Sequence, residues 1–307
     1  MVLLVHRPLI CLAPFAAKST RQFEKPLFRF VASFYCTRAP SFKCRCTDND
    51  TTQTPSEVVV SLLLARATSF SVLEVDSQCD TGSTWSTMAL YMFSLHIPLS
   101  FGGLSVVAEM LHQPVIDPQT EALSILVIQT LELIGTWLLI ASTAKTHYRL
   151  LDFSQANESS KGRNWFLASA VGLGVLVFLV FLTSLLADRL IGPKDVNNPI
   201  LKEILSSGST SVAACTVVYS FVTPLLEEIV YRGFLLTSLA SRMKWQQAVV
   251  VSSAVFSAAH FSGENSIQLF IIGSILGCSY CWTGNLGSSI VIHSLYNALT
   301  LLLTFLS

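Results

Sequence analysis

Apolar and polar positions separate along this chain on the scale of a lipid bilayer. After a polar first quarter, apolar stretches of about twenty residues follow one another, the length a helix needs to cross a hydrocarbon core about 30 Å thick. Seven stretches are read as crossing or nearly crossing: about Ser86–Leu111, Ala122–Ala144, Trp165–Ala187, Ser211–Leu239 (interrupted by Pro224), Gln246–His260, Ser266–Thr283 and Leu286–Leu306. The fifth is short for a spanning helix and is expected to be shielded by its neighbours. None shows the alternation of a membrane barrel, and backbone in lipid must satisfy its own hydrogen bonds, so helices follow. The predicted fold class is all-α, a polytopic transmembrane helical bundle of about seven spans. Gly273 and Gly277, four apart, are expected to let the sixth span approach a neighbour closely.

Basic residues in the connections set the orientation. Lys145, Arg149, Lys161 and Arg163 follow the second span, and Arg242 and Lys244 follow the fourth. Alternating spans put both sets on one side, which is the stroma if the membrane is a plastid's. Arg189, Lys194 and Lys202 fall on the other side and dissent. Composition agrees with a bilayer as solvent. Residues are 51% hydrophobic and 12% charged, against about a quarter charged in an ordinary soluble domain. Zero net charge gives no basic surface for nucleic acid. The eight cysteines form neither a dense disulfide framework nor a zinc-ribbon spacing. Cys278 and Cys281 make a CxxC inside an apolar span and are read as packing residues rather than a redox pair.

The polar first quarter has its own character. From Met1 to Thr47 there are eight Lys and Arg residues and one acid, Glu24, among Ser, Thr, Ala and Phe. That make-up is an organelle transit peptide, expected to be plastid, with mitochondria as the alternative and a basic tail of the mature protein as the bland one. Residues 48–85 read as a polar linker. Its apolar island, Val58–Leu64, is too short to span.

From Ser211 onward the formal charges are Glu227, Glu228, Arg232, Arg242, Lys244 and Glu264. The last three fall at loops. The first three sit in an apolar helix, where each costs on the order of a few kcal/mol, so something must compensate them. Glu228 and Arg232 are four apart and share a face. Glu227 is rotated from Glu228 by about 100° and points elsewhere, which leaves it as the unpaired carboxylate, a candidate general base or acid. Two further helices bring polar groups to the same layer: His260 stands four residues after Phe256, and His293 and Asn297 are likewise four apart. The second pair sets an imidazole and a carboxamide on one face, able to hold a developing oxyanion. His96, His112 and His147 lie in or at the ends of spans and are assigned no role.

Glu227-Glu-Ile-Val-Tyr-Arg232, Phe256-Ser-Ala-Ala-His260 and His293-Ser-Leu-Tyr-Asn297 together resemble the three motifs of the CAAX-processing and bacteriocin-immunity (CPBP) proteases, which include the type II CAAX prenyl endopeptidases and many plant plastid members. The resemblance covers about Ser206 to Ser307. It implies a glutamate-dependent, metal-independent intramembrane endopeptidase without cofactor beyond a catalytic water. Carried over, Glu227 activates the water with help from His260, His293 and Asn297 bind the oxyanion, and Glu228, Arg232 and Phe256 support them. The partners implied are a membrane-associated protein or peptide substrate and the lipid bilayer. The expected division is then a leader at 1–47, a linker at 48–85, N-terminal transmembrane helices at 86–205 and a catalytic core at 206–307. A plastid address is where prenylated CAAX substrates are not expected.

Two rivals stand beside this reading. Glu227, His260 and His293 could be three zinc ligands with a fourth position open, although there is no HExxH and Arg232 disfavours a dication. Alternatively the chain keeps the fold without proteolysis and uses its polar layer to bind or stabilise partners.

Overall fold

The computed structural model describes residues 70–73, 81–143, 163–190, 192 and 198–306. These all lie in one of the two units into which the chain's contacts divide; the other, Pro8–Leu63, is outside the described residues. So are the proposed leader, most of the linker with its apolar island, and Lys145, Arg149, Lys161 and Lys194.

Among the described residues the chain is helical throughout, without strands. The helices are α1 (Gly82–Met110), α2 (Pro118–Thr143), α3 (Trp165–Leu190), α4 (Pro199–Ser206), α5 (Ser209–Ala240), α6 (Trp245–Ala259), α7 (Ser266–Thr283) and α8 (Leu286–Leu306). Six of them, all but α4 and α6, are long and apolar enough to cross a membrane. The protein is a multi-pass helical membrane protein. Its fifth apolar stretch becomes α6, 15 residues long and so about 22 Å, held between α5 and α7. One element falls where the sequence reading had only a loop. Asn198 accepts from the Leu201 amide and Pro199 sits at the first helical position, so α4 begins with both start signals in place.

Pro224 does not interrupt α5. A proline lacks the N–H of its turn and clashes with the carbonyl four residues back. Here the turn before it, Val218–Val222, is widened to the i→i+5 pattern, which makes room for the ring. A second widened segment, Ile229–Leu236, follows the two glutamates. Pro98 of α1 lies in a third, Met92–Phe101.

A close seam beside the site joins α6 to α7. A Cβ on Gly273 would stand 3.1 Å from Ser253 Cα and 3.2 Å from Phe256 Cδ1, and one on Gly277 3.3 Å from Val249 Cγ1. The two glycines therefore do let their helix approach a neighbour, and that neighbour is the short α6. Gly284, at φ +63°, ends α7, and Asn285 at once accepts from the Gly287 amide at 2.8 Å to start α8.

One end of the bundle carries an aromatic and basic cluster. Phe70 stacks on Trp245 at 4.5 Å and tilts onto Trp282 at 5.2 Å. The Arg163 guanidinium lies 4.3 Å over Trp282. The basic residue before α3 and the α5–α6 connection thus share one end, as alternating spans require.

Candidate active site

Three helices bring the sequence motifs to one layer, and the two adjacent glutamates part company there. Glu228 is fully buried. Its Oε1 receives Arg232 Nη1 at 2.7 Å and His293 Nδ1 at 2.8 Å. Arg232, four residues on and 1% exposed, also donates to the Gly273 carbonyl at 3.2 Å. Its guanidinium lies 4.6 Å over the Phe256 ring, a face that favours cations. The buried pair is therefore contacted from three helices, which is what keeps such a pair tolerable in an apolar interior, while Glu228 Oε2 is buried and accepts no hydrogen bond.

Glu227 faces a cavity of about 180 Å³. Its Oε1 lies 3.6 Å from His260 Nε2 and its Oε2 lies 3.7 Å from His293 Nε2, both beyond direct hydrogen-bond length. Oε2 is buried and accepts no hydrogen bond. The proton positions on the imidazoles follow from their other nitrogens. His260 Nδ1 is 2.8 Å from the Phe256 carbonyl, which can only accept, so Nδ1 carries hydrogen. His293 Nδ1 likewise donates to the Glu228 carboxylate. In its neutral tautomer His260 Nε2 then presents a lone pair beside the Glu227 carboxylate, and two acceptors converge on one gap that His293 Nε2 also borders. A molecule able to donate two hydrogens complements that gap.

Phe256 packs against both imidazoles of the layer and against Tyr231. Its ring is 4.6 Å from His260, 6.2 Å from His293 and 5.2 Å edge-on from Tyr231. Asn297 lines the cavity but has a definite second partner. In the widened turn the Thr223 amide donates to Val218, and residue 224 is a proline with no N–H, so the Tyr219 carbonyl lacks a helical partner. Asn297 Nδ2 supplies it at 3.0 Å. One amide hydrogen of Asn297 remains.

Residues 209–299 match the family model described as Type II CAAX prenyl endopeptidase Rce1-like. This stretch is an Rce1-like domain. It implies an endopeptidase of the CAAX type, embedded in the membrane and acting on membrane-associated protein. The match begins with α5 and ends inside α8, so the Rce1-like domain holds every sequence-selected site residue: Glu227, Glu228, Arg232, Phe256, His260, His293 and Asn297. No curated protein and no solved structure matches the chain.

The sequence reading missed what faces the Rce1-like domain across the cavity. His96 of α1, given no role, lines the same cavity as Glu227. Its Nδ1 is 2.8 Å from Oε1 of Glu132 on α2, a carboxylate with no exposure at all. Tyr91 and Ser100 hydroxyls also donate to Glu132, at 3.1 and 2.8 Å, and Gln129 donates at 3.4 Å. The signal was present: Glu132 is an acid in the middle of an apolar span, the same anomaly that singled out Glu227. Among the described residues no three His, Cys, Asp or Glu side chains are arranged to hold a metal ion.

Proposed function

We propose that this chain is a glutamate-type intramembrane endopeptidase in which Glu227 activates water. The observation that carries the reading is the convergence of Glu227 and His260 Nε2, both acceptors, with His293 Nε2 on a gap too wide for direct bonds. Water fits that gap by donating to Glu227 and His260. As its oxygen attacks a scissile carbonyl carbon, the O–H bond breaks and the proton passes to Glu227. The carbonyl oxygen gains the charge. It is met by His293 in its imidazolium form, held by Glu228 through Nδ1, and by the remaining Asn297 N–H. When the C–N bond breaks, the proton on Glu227 goes to the leaving nitrogen. No metal takes part.

The substrate is a membrane-held protein or peptide in a plastid membrane, for which a farnesylated CAAX-type peptide serves as a surrogate. The apolar lining of the cavity, from Leu99, Leu104, Ile125, Ile128, Leu269 and Ile272, suits an apolar chain. Purified full-length protein in detergent, given a farnesylated CAAX-type peptide, should cleave it in the presence of EDTA. Glu227→Gln keeps the shape and loses the base, and turnover should fall by at least about a hundredfold. Unchanged turnover in that variant, or loss of activity together with one zinc per chain, would sink the mechanism. Glu227→Gln that still complements a deletion strain would favour the non-proteolytic role. The plastid address is tested by N-terminal sequencing of the organelle-isolated chain, which should begin near Cys46–Thr51.

A further inference from the structure

A helix that stops inside a membrane must find partners for its last four carbonyls, and α6 stops beside the cavity. Its carbonyls can be followed one by one. The Phe256 carbonyl receives His260 Nδ1 at 2.8 Å. The Ser257 and Ala258 carbonyls receive the His260 and Phe261 amides at 3.3 and 3.0 Å. The fourth, Ala259, is met from another helix, by His96 Nε2 at 3.4 Å.

That contact sets the charge of His96. One ring nitrogen faces a carbonyl and the other a carboxylate oxygen, and both of those groups accept, so the ring donates from both nitrogens as an imidazolium. A cation suits the C-terminal end of a helix. Glu132 balances the charge and is in turn held by Tyr91, Ser100 and Gln129. The same stretch of α1 reaches past His260 on its other side: Phe101 packs edge-on at 5.3 Å against Phe261. Phe261 has φ +49°, in the left-handed region a bulky residue adopts only when held there. His260 is thus bracketed at residues 259 and 261 by one turn of α1.

We propose that His96, charged against Glu132, is a positioning residue that fixes the end of α6 so that His260 Nε2 faces Glu227. This rests on the reading of His260 as the residue that orients water. His96 and Glu132 lie outside the matched segment 209–299, so α1 and α2 supply a support the Rce1-like domain does not contain.

The test uses the full-length chain in detergent with two readouts. One is turnover of the farnesylated CAAX-type peptide. The other needs no activity: the rate at which diethyl pyrocarbonate modifies His260, followed by mass spectrometry. The variant is His96→Leu/Glu132→Leu, which removes both charges together and leaves neither buried alone. The expected result is a folded protein whose kcat falls on the order of tenfold to a hundredfold with KM little changed, and whose His260 reacts faster. Glu132→Gln, close to isosteric, should give the same signature if the double variant does not fold. A folded variant with wild-type kcat and wild-type His260 reactivity overturns the proposal, as does loss of folding in both variants, which would make the pair purely structural. If the wild-type chain cleaves nothing, the proteolytic reading fails, and His260 reactivity alone decides the positioning role.

Discussion

Glu227 and Glu228 are one residue apart and live in different solvents. Glu228 has two charged or polar partners on its Oε1, whereas Glu227 opens onto the cavity with its side chain 12% exposed. Glu228→Ala therefore leaves Arg232 buried without its carboxylate and His293 without its acceptor, and should cost about 3–5 kcal/mol. Glu227→Ala strips no partner of a bond and should leave the folded protein intact. Glu228→Ala/Arg232→Met should recover the lost stability but not turnover, since His293 stays unanchored. Thermal unfolding in detergent compares the three. Equal losses at Glu227 and Glu228, or a double variant no better than Glu228→Ala, would mean that the two carboxylates have been assigned the wrong way round. The division between them was legible in the sequence, because helical spacing dictates it. The His293–Glu228 bond was not, since it joins helices 65 residues apart and no period encodes such a pairing. Asn297 shows the same limit: its bond to Tyr219 exists because the turn before Pro224 is widened, and widening leaves no mark in the hydrophobic pattern.

Among the elements, the α6–α7 seam bears most directly on the site. Gly273 supplies both the close approach to Ser253 and the carbonyl that Arg232 reaches. Gly273→Ala puts a methyl against Ser253 backbone and the Phe256 ring. It should part the helices by a few tenths of an ångström, at about 1–3 kcal/mol as overpacking usually costs. Gly174→Ala in α3, where an added Cβ meets nothing within 4 Å, is the control and should be neutral or slightly stabilising. A Gly273→Ala protein that melts with the control would show that the seam is looser than these distances. The glycine spacing predicted a close approach correctly, and the short fifth stretch was visible too. The start of α4 was also readable, since Asn198 and Pro199 are ordinary start signals. Its eight residues are too few to stand out as a span in the hydrophobic pattern.

At the scale of the molecule the helices differ in length by more than the fold requires. The 26 residues of α2 and of α3 run about 39 Å, against about 22 Å for α6. The turn after α6 ends in Gly263, Glu264 and Asn265, with Glu264 exposed, and an exposed charge needs water or headgroups around it. Cysteine placed at Glu264 should react in lipid vesicles with a membrane-impermeant maleimide, in a background with the native cysteines changed to serine. Cysteine at Val250, on the exposed face of α6, should not. Equal protection of the two would mean that the turn is covered by lipid. A bilayer matched to α6 would be thinned to nearly the length of that helix, against about 30 Å elsewhere. Such thinning would set a dimple in the membrane beside His260. On the proposed mechanism hydrolytic water would then enter from that dimple instead of travelling down the bundle, so turnover should rise in bilayers of shorter acyl chains and fall in thicker ones.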